Sequence, residues 1–71
     1  MTNKNFLHLK KELNKIDSFF KKKEFDTVIK KSKILLKKNP NQAIIYNYIA
    51  LSYFELDKTE NALEILLLAN E

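Results

Sequence analysis

The stretch NPNQAIIYNYIALSYFELDKTENALEILLLAN, Asn39 to Asn70, decides the architecture. Pro40 halts any helix arriving from upstream, because proline disfavours helical backbone at the residue before it, and Asn41 suits the cap of a new start. From Ala43 to Leu56 the apolar residues Ile45, Tyr46, Ile49, Ala50, Tyr53 and Phe54 recur with the period of a helix face. Asp57-Lys58-Thr59-Glu60 reads as a turn, and Asp57 with Glu60 has the spacing of a capping box. Another helix follows, from about Thr59 to Asn70. Helices joined by so short a turn lie antiparallel.

The first half repeats this plan. Phe6, Leu9, Leu13, Ile16 and Phe20 step by three and four along one stripe, which Leu7 and Phe19 widen. Lys21-Lys22-Lys23 marks a turn and places positive charge where the helix dipole favours it. A second helical pattern carries Phe25, Val28, Ile29, Leu35 and Leu36, with Lys30, Lys31, Lys33 and Lys37 turned to water. No segment alternates like a strand. The expected fold is all-α: a single domain over residues 1–71 built of four antiparallel helices.

Composition narrows the chemistry. The 71 residues contain no cysteine, so no disulfide and no cysteine-bound zinc. His8 is the lone histidine, which excludes multi-histidine metal sites, and no metal or cofactor is expected. There is no glycine, which removes Gly-rich phosphate loops and the dinucleotide fingerprint. The longest apolar run, Ile65–Ala69, is far too short to span a membrane. Residues Met1 to Asn5 show no secretory signal pattern, so the cytoplasm is the expected compartment. Residues 1–40 hold 12 lysines against Glu12, Asp17, Glu24 and Asp26, a net +8. Residues 41–71 hold Lys58 against Glu55, Asp57, Glu60, Glu64 and Glu71, a net −4.

Sliding the chain on itself by 34 residues sets Ile16 on Ala50, Phe19-Phe20 on Tyr53-Phe54, Val28-Ile29 on Ala62-Leu63 and Leu35 on Ala69. A self-match at this period is the mark of a helical-pair repeat. The sequence resembles the tetratricopeptide repeat family. Tyr46 stands at the family's Trp position, Ile49 at its Leu, Ala50 at its Gly, Tyr53 at its Tyr and Ala62 at its first Ala. Leu66 and Ala69 stand at its aromatic and its last Ala. The first copy keeps Phe19, Phe25, Val28, Leu35 and the terminal Pro40, but Glu12, Lys15 and Ser32 replace the Trp, Leu and aromatic. Lys23 and Asp57 replace the turn glycine. The resemblance implies two stacked helix-turn-helix repeats, about 9–42 and about 43–71, forming a segment of α-solenoid. Small residues are wanted where helices approach closely, as at Ala50, Ala62 and Ala69, and large aromatics such as Tyr46, Tyr53 and Phe54 fill the gaps.

The resemblance also implies a function without catalysis: a protein-interaction scaffold that holds a peptide or protein partner in a concave groove. By position the groove is Lys10, Asn14, Asp17 and Lys21 from the first copy, with Ile44, Asn47, Tyr48, Leu51 and Glu55 from the second. Both asparagines carry an amide that pairs with peptide backbone. Some family members clamp a C-terminal carboxylate, but the matching positions here are Leu13, Asp17 and Tyr48, which cannot do so. The alternative implied by the resemblance is an N-terminal repeat segment of a larger bacterial enzyme such as a transferase.

Two repeats are fewer than the three or more usual for stability. The Ile65-Leu66-Leu67-Leu68 run is too broad for one neighbour to cover, so part of Ile65, Leu67 and Leu68 is expected to be exposed as a face for a next repeat or for a homo-oligomer. The chain is accordingly read as the start of a longer repeat protein or as a self-associating element, with head-to-tail stacking permitted by its oppositely charged halves. Nucleic acid is not the expected partner. Lys21, Lys22, Lys23, Lys30, Lys31, Lys33, Lys37 and Lys38 would have to carry it, and arginine, the best bidentate reader of phosphate and guanine, is absent. His8 has no recognisable Ser or Cys partner and reads as a surface residue. Glu60 and Glu64 are a solvated like-charge pair one turn apart.

Overall fold

The computed structural model describes residues 3–70, with side chains from Phe6 onward. Met1, Thr2 and Glu71, the outermost residues of the expected single domain, lie outside the described residues. The fold is all-α. Helix α1 spans Asn3–Lys21, α2 Phe25–Lys38, α3 Ala43–Glu55 and α4 Thr59–Ala69. No helix contains glycine or proline, so each runs uninterrupted between its turns.

The turns at 22–24 and 56–58 are copies of one another. Lys23 and Asp57 both take left-handed backbone, with φ of 64° and 62°. The Lys23 and Glu24 amides donate to Phe20 O at 2.9 Å and Phe19 O at 3.0 Å. The Asp57 and Lys58 amides donate to Phe54 O at 3.0 Å and Tyr53 O at 2.8 Å. Each is a Schellman closure, which satisfies carbonyls that the helix end leaves unpaired. Left-handed backbone costs an L-residue about 1–2 kcal/mol, less for aspartate than for lysine.

This turn chemistry corrects the expected caps. Asp57 is committed to the left-handed position that ends α3, so Lys58 is the N-cap of α4 and no Asp57–Glu60 capping box forms. Asn41 falls one residue early: Gln42 is the N-cap of α3, and no side chain caps it. Asn39, just before the proline, closes α2 instead. Its backbone amide donates to Leu35 O and Leu36 O, both at 3.1 Å, and its Nδ2 donates to Leu35 O at 3.1 Å. Tyr46 Oη donates to Pro40 O at 3.1 Å and pins the loop to α3.

Leu9 and Ile16 of α1, Val28, Ile29 and Leu35 of α2, and Ile45 and Ile49 of α3 form one buried cluster. From α4, Ala62 is fully buried and Ile65 packs against the cluster's edge. Helix α1 packs on α2, α2 on α3 and α3 on α4, while α1 also meets α3. Among the described residues α4 does not return to α1, so the helices form an open stack rather than a closed bundle. The result is a slab of 41 × 30 × 13 Å.

Several apolar residues assigned to the packed stripes lie outside them. Phe6 and Leu7 are exposed, so the buried stripe of α1 begins at Leu9. Phe54 is exposed rather than filling a gap, because no helix lies over that side of α3. Ala50 and Ala62 sit buried at close helix approaches, but Ala69 is exposed because nothing packs over the end of α4. Ser32 and Ser52 are wholly buried on α2 and α3, and neither hydroxyl finds a partner.

Candidate peptide groove

The groove residues fall on two helices whose spacing aligns them. Lys10, Asn14, Asp17 and Lys21 recur at four, three and four along α1, and Ile44, Tyr48, Leu51 and Glu55 do the same along α3. Residues so spaced share one helix face. Asn47 stands beside Tyr48 on that face, one residue before it.

One bond ties the two rows together. Tyr48 Oη donates to Asp17 Oδ1 at 2.7 Å, across from α3 to α1. Lys21 Nζ reaches the other oxygen, Asp17 Oδ2, at 3.0 Å. Behind the bond, the Tyr48 ring meets Phe20 edge-on at 5.7 Å, and Phe20 meets Phe25 at 5.3 Å. The aromatic contacts hold the phenol in place. The Tyr48 hydroxyl, more than Lys21, holds the Asp17 carboxyl below its ordinary value. Burial, reinforced by the Asp17 charge, pushes the Tyr48 phenol up to about 12.

The bond uses Asp17, Lys21 and Tyr48 and leaves the others free. Lys10, Asn14, Asn47 and Glu55 are exposed. Ile44 and Leu51 on either side of Tyr48 are 45% and 49% exposed. The strip therefore offers two apolar contacts about 10 Å apart along the helix, with amides between them. A lysine stands at one end and a glutamate at the other. It holds no nucleophile with an adjacent base. Among the described residues no three His, Cys, Asp or Glu side chains cluster to hold a metal.

Sequence reasoning named both Asp17 and Tyr48 but not their pairing. The resemblance implies one groove for both, but reach across a helix pair is set by packing, which no local pattern reports. Lys33 shows the same limit. It faces water as expected, and it also donates from Nζ to Tyr53 Oη at 2.9 Å, a contact no local pattern contains. Lys22 and Lys31 stand over the Phe19 ring at 6.0 and 5.6 Å. Part of the lysine-rich surface is thus engaged within the molecule.

Two clefts open elsewhere, at the ends of the hairpins away from their turns. One of about 370 Å³ is lined by Pro40, Asn41, Ala43, Tyr46, Leu68 and Ala69. The other, about 220 Å³, is lined by His8, Glu12, Lys31, Ile34, Leu35 and Lys38. Glu12, Ile34 and Leu35 lie 34 residues before Tyr46, Leu68 and Ala69, so the clefts occupy matching places in the two hairpins. Neither is lined by a groove residue.

The expected apolar end-face divides. Leu67 and Leu68 are exposed, but Ile65 packs against the core and leaves that face. Leu68 lines the larger cleft, while Leu63, not singled out from the sequence, is exposed one turn before Leu67. None of the described helices is long and apolar enough to cross a membrane. No protein-family model matches the chain, and no curated protein or solved structure matches it.

Proposed function

We propose that this chain is a helical-repeat interaction module of the tetratricopeptide type, a cytoplasmic scaffold with no catalysis of its own. It takes a peptide or protein segment along the face shared by α1 and α3. The observation that carries this reading is the Tyr48–Asp17 bond, which holds the two helices side by side while Ile44 and Leu51 stay exposed beside it. Two apolar side chains flanking unpaired amides give a bound segment both burial and backbone hydrogen bonds. The matching turns at Lys23 and Asp57 support the repeat reading from the backbone.

The test is a pull-down from lysate comparing the chain with Asn47→Ala plus Leu51→Ala. Both residues are exposed, so the variant keeps its core. The expected result is loss of one or more captured proteins. Equal recovery of every captured protein by both chains removes the groove.

A further inference from the structure

The 34-residue correspondence assigns each residue on the α2 side of the stack a counterpart on the α4 side. Ile29 is 9% exposed in the buried cluster, and its counterpart Leu63 is 51% exposed. Phe20 is half-buried behind Tyr48, and its counterpart Phe54 is 39% exposed. Lys33 is occupied by the Tyr53 hydroxyl of α3, and its counterpart Leu67 is 66% exposed. The surface that α3 covers on the first hairpin therefore recurs on the second hairpin uncovered, and at Leu67 it is more apolar than the original.

The covered copy shows what fits. Helix α3 presents Ile45, Ile49 and Tyr53 at steps of four, with Tyr48 reaching over Phe20. A second copy of this chain does not offer the same face in the same register. Its α1 places Lys11 and Lys15 where α3 has Ile45 and Ile49, and only Phe19, at the place of Tyr53, is apolar. Stacking it would set two ammonium groups at the places where Ile45 and Ile49 are fully buried, and burying unpaired charge is costly. The uncovered face has an acidic margin: Glu60 and Glu64 are exposed on α4, and Asp57 is exposed at the turn before it.

We infer that the uncovered side of the second hairpin, with Phe54 of α3 and Leu63 and Leu67 of α4 as its apolar centre, docks an amphipathic helix from another protein, seated as α3 is seated on the first hairpin. That helix carries apolar residues at i, i+4 and i+8 and lysines or arginines along its margins. The apolar centre supplies the affinity and the acidic margin selects for basic flanks. This site is separate from the α1–α3 groove.

The probe is a synthetic amphipathic helix with Leu at i, i+4 and i+8 and Lys on both margins, titrated into the isotope-labelled chain. The expected result is saturable NMR shifts centred on Phe54, Leu63 and Leu67. Affinity should fall at least about tenfold, or 1.4 kcal/mol, with Leu67→Glu and again when the peptide's lysines become glutamates. Asn47→Ala plus Leu51→Ala should leave it unchanged. Leu67 is exposed, so its substitution spares the core, and Leu67→Ser repeats the test without adding charge. The inference fails if the Lys-margined helix does not bind, or binds equally well after Leu67→Glu. It fails also if the chain alone sediments as a dimer that Leu67→Glu dissolves, since a second copy then owns the face.

Discussion

The two hairpins share a turn but not a set of side chains. Four turn hydrogen bonds recur 34 residues apart, from Lys22 N to Ser18 O through Val28 N to Glu24 O and again from Leu56 N to Ser52 O through Ala62 N to Lys58 O. Yet where the second hairpin has Ala50 and Ala62, the first has Ile16 and Val28, all buried. Where the second has Ile45 and Ile49 buried against α2, the first has Lys11 and Lys15 exposed. One backbone plan thus tolerates different packing, provided each hairpin suits its neighbours. The first ends in lysines that face water, and the second has one covered side and one greasy side.

The largest expected effect tests that asymmetry at matched positions. Ile45 is fully buried between the hairpins, so Ile45→Ala should cost about 2–5 kcal/mol in urea denaturation. Lys11→Ala, 34 residues earlier and on the surface, should stay within about 0.5 kcal/mol. Similar losses from the two variants would mean that the first helix is also covered, and the contrast would collapse.

Next comes the close approach at Ala62. Its counterpart in the first hairpin is Val28, and both are wholly buried. If the hairpins were interchangeable, Ala62→Val would be harmless. The packed second hairpin should instead lose about 1–3 kcal/mol by overpacking, read as a lower urea midpoint at unchanged slope.

The paired turns give a smaller and opposite effect. Replacing Lys23 with glycine relieves left-handed strain and should raise stability by about 0.5–1 kcal/mol after the added freedom of the unfolded chain is subtracted. Asp57→Gly should gain less, because aspartate tolerates that backbone better than lysine does. The reverse order in thermal melts would show that the two turns are not equivalently strained.

These contrasts also mark how far the sequence is legible. The four helices follow from periodicity, and α2, α3 and α4 begin where it places them. The turns at Lys23 and Asp57 follow from the repeat phase. The caps do not, since Asp57 suits either a cap or a left-handed turn and only the path of the chain chooses between them. Apolar periodicity finds the face of a helix but not whether another element covers it. Ile29 and Leu63 are both apolar in equivalent places, yet one is buried and the other exposed. The two rows of the candidate groove come from the family resemblance, and the helices give each row its common face. The bond between them depends on the distance from α3 to α1, which no local pattern contains.

The smallest effect concerns that bond, which has no twin in the first hairpin. Position 14, the counterpart of Tyr48, is an exposed asparagine. The phenol's pKa is raised from 10.0 to about 12, so the fold favours its neutral form. That contribution is full below about pH 10 and is lost as pH rises toward 12. The Asp17 pKa is lowered from 3.8, so its contribution is present above the ordinary carboxylate range and is lost as pH falls through the lowered value. Tyr48→Phe should therefore remove the late phenolate step from an absorbance titration. It should also move the Asp17 carboxyl, followed by NMR, back toward its ordinary value. Asn14→Ala should change neither curve. A late phenolate step that survives Tyr48→Phe would assign the shifted phenol to another tyrosine and leave the two rows of the groove untied.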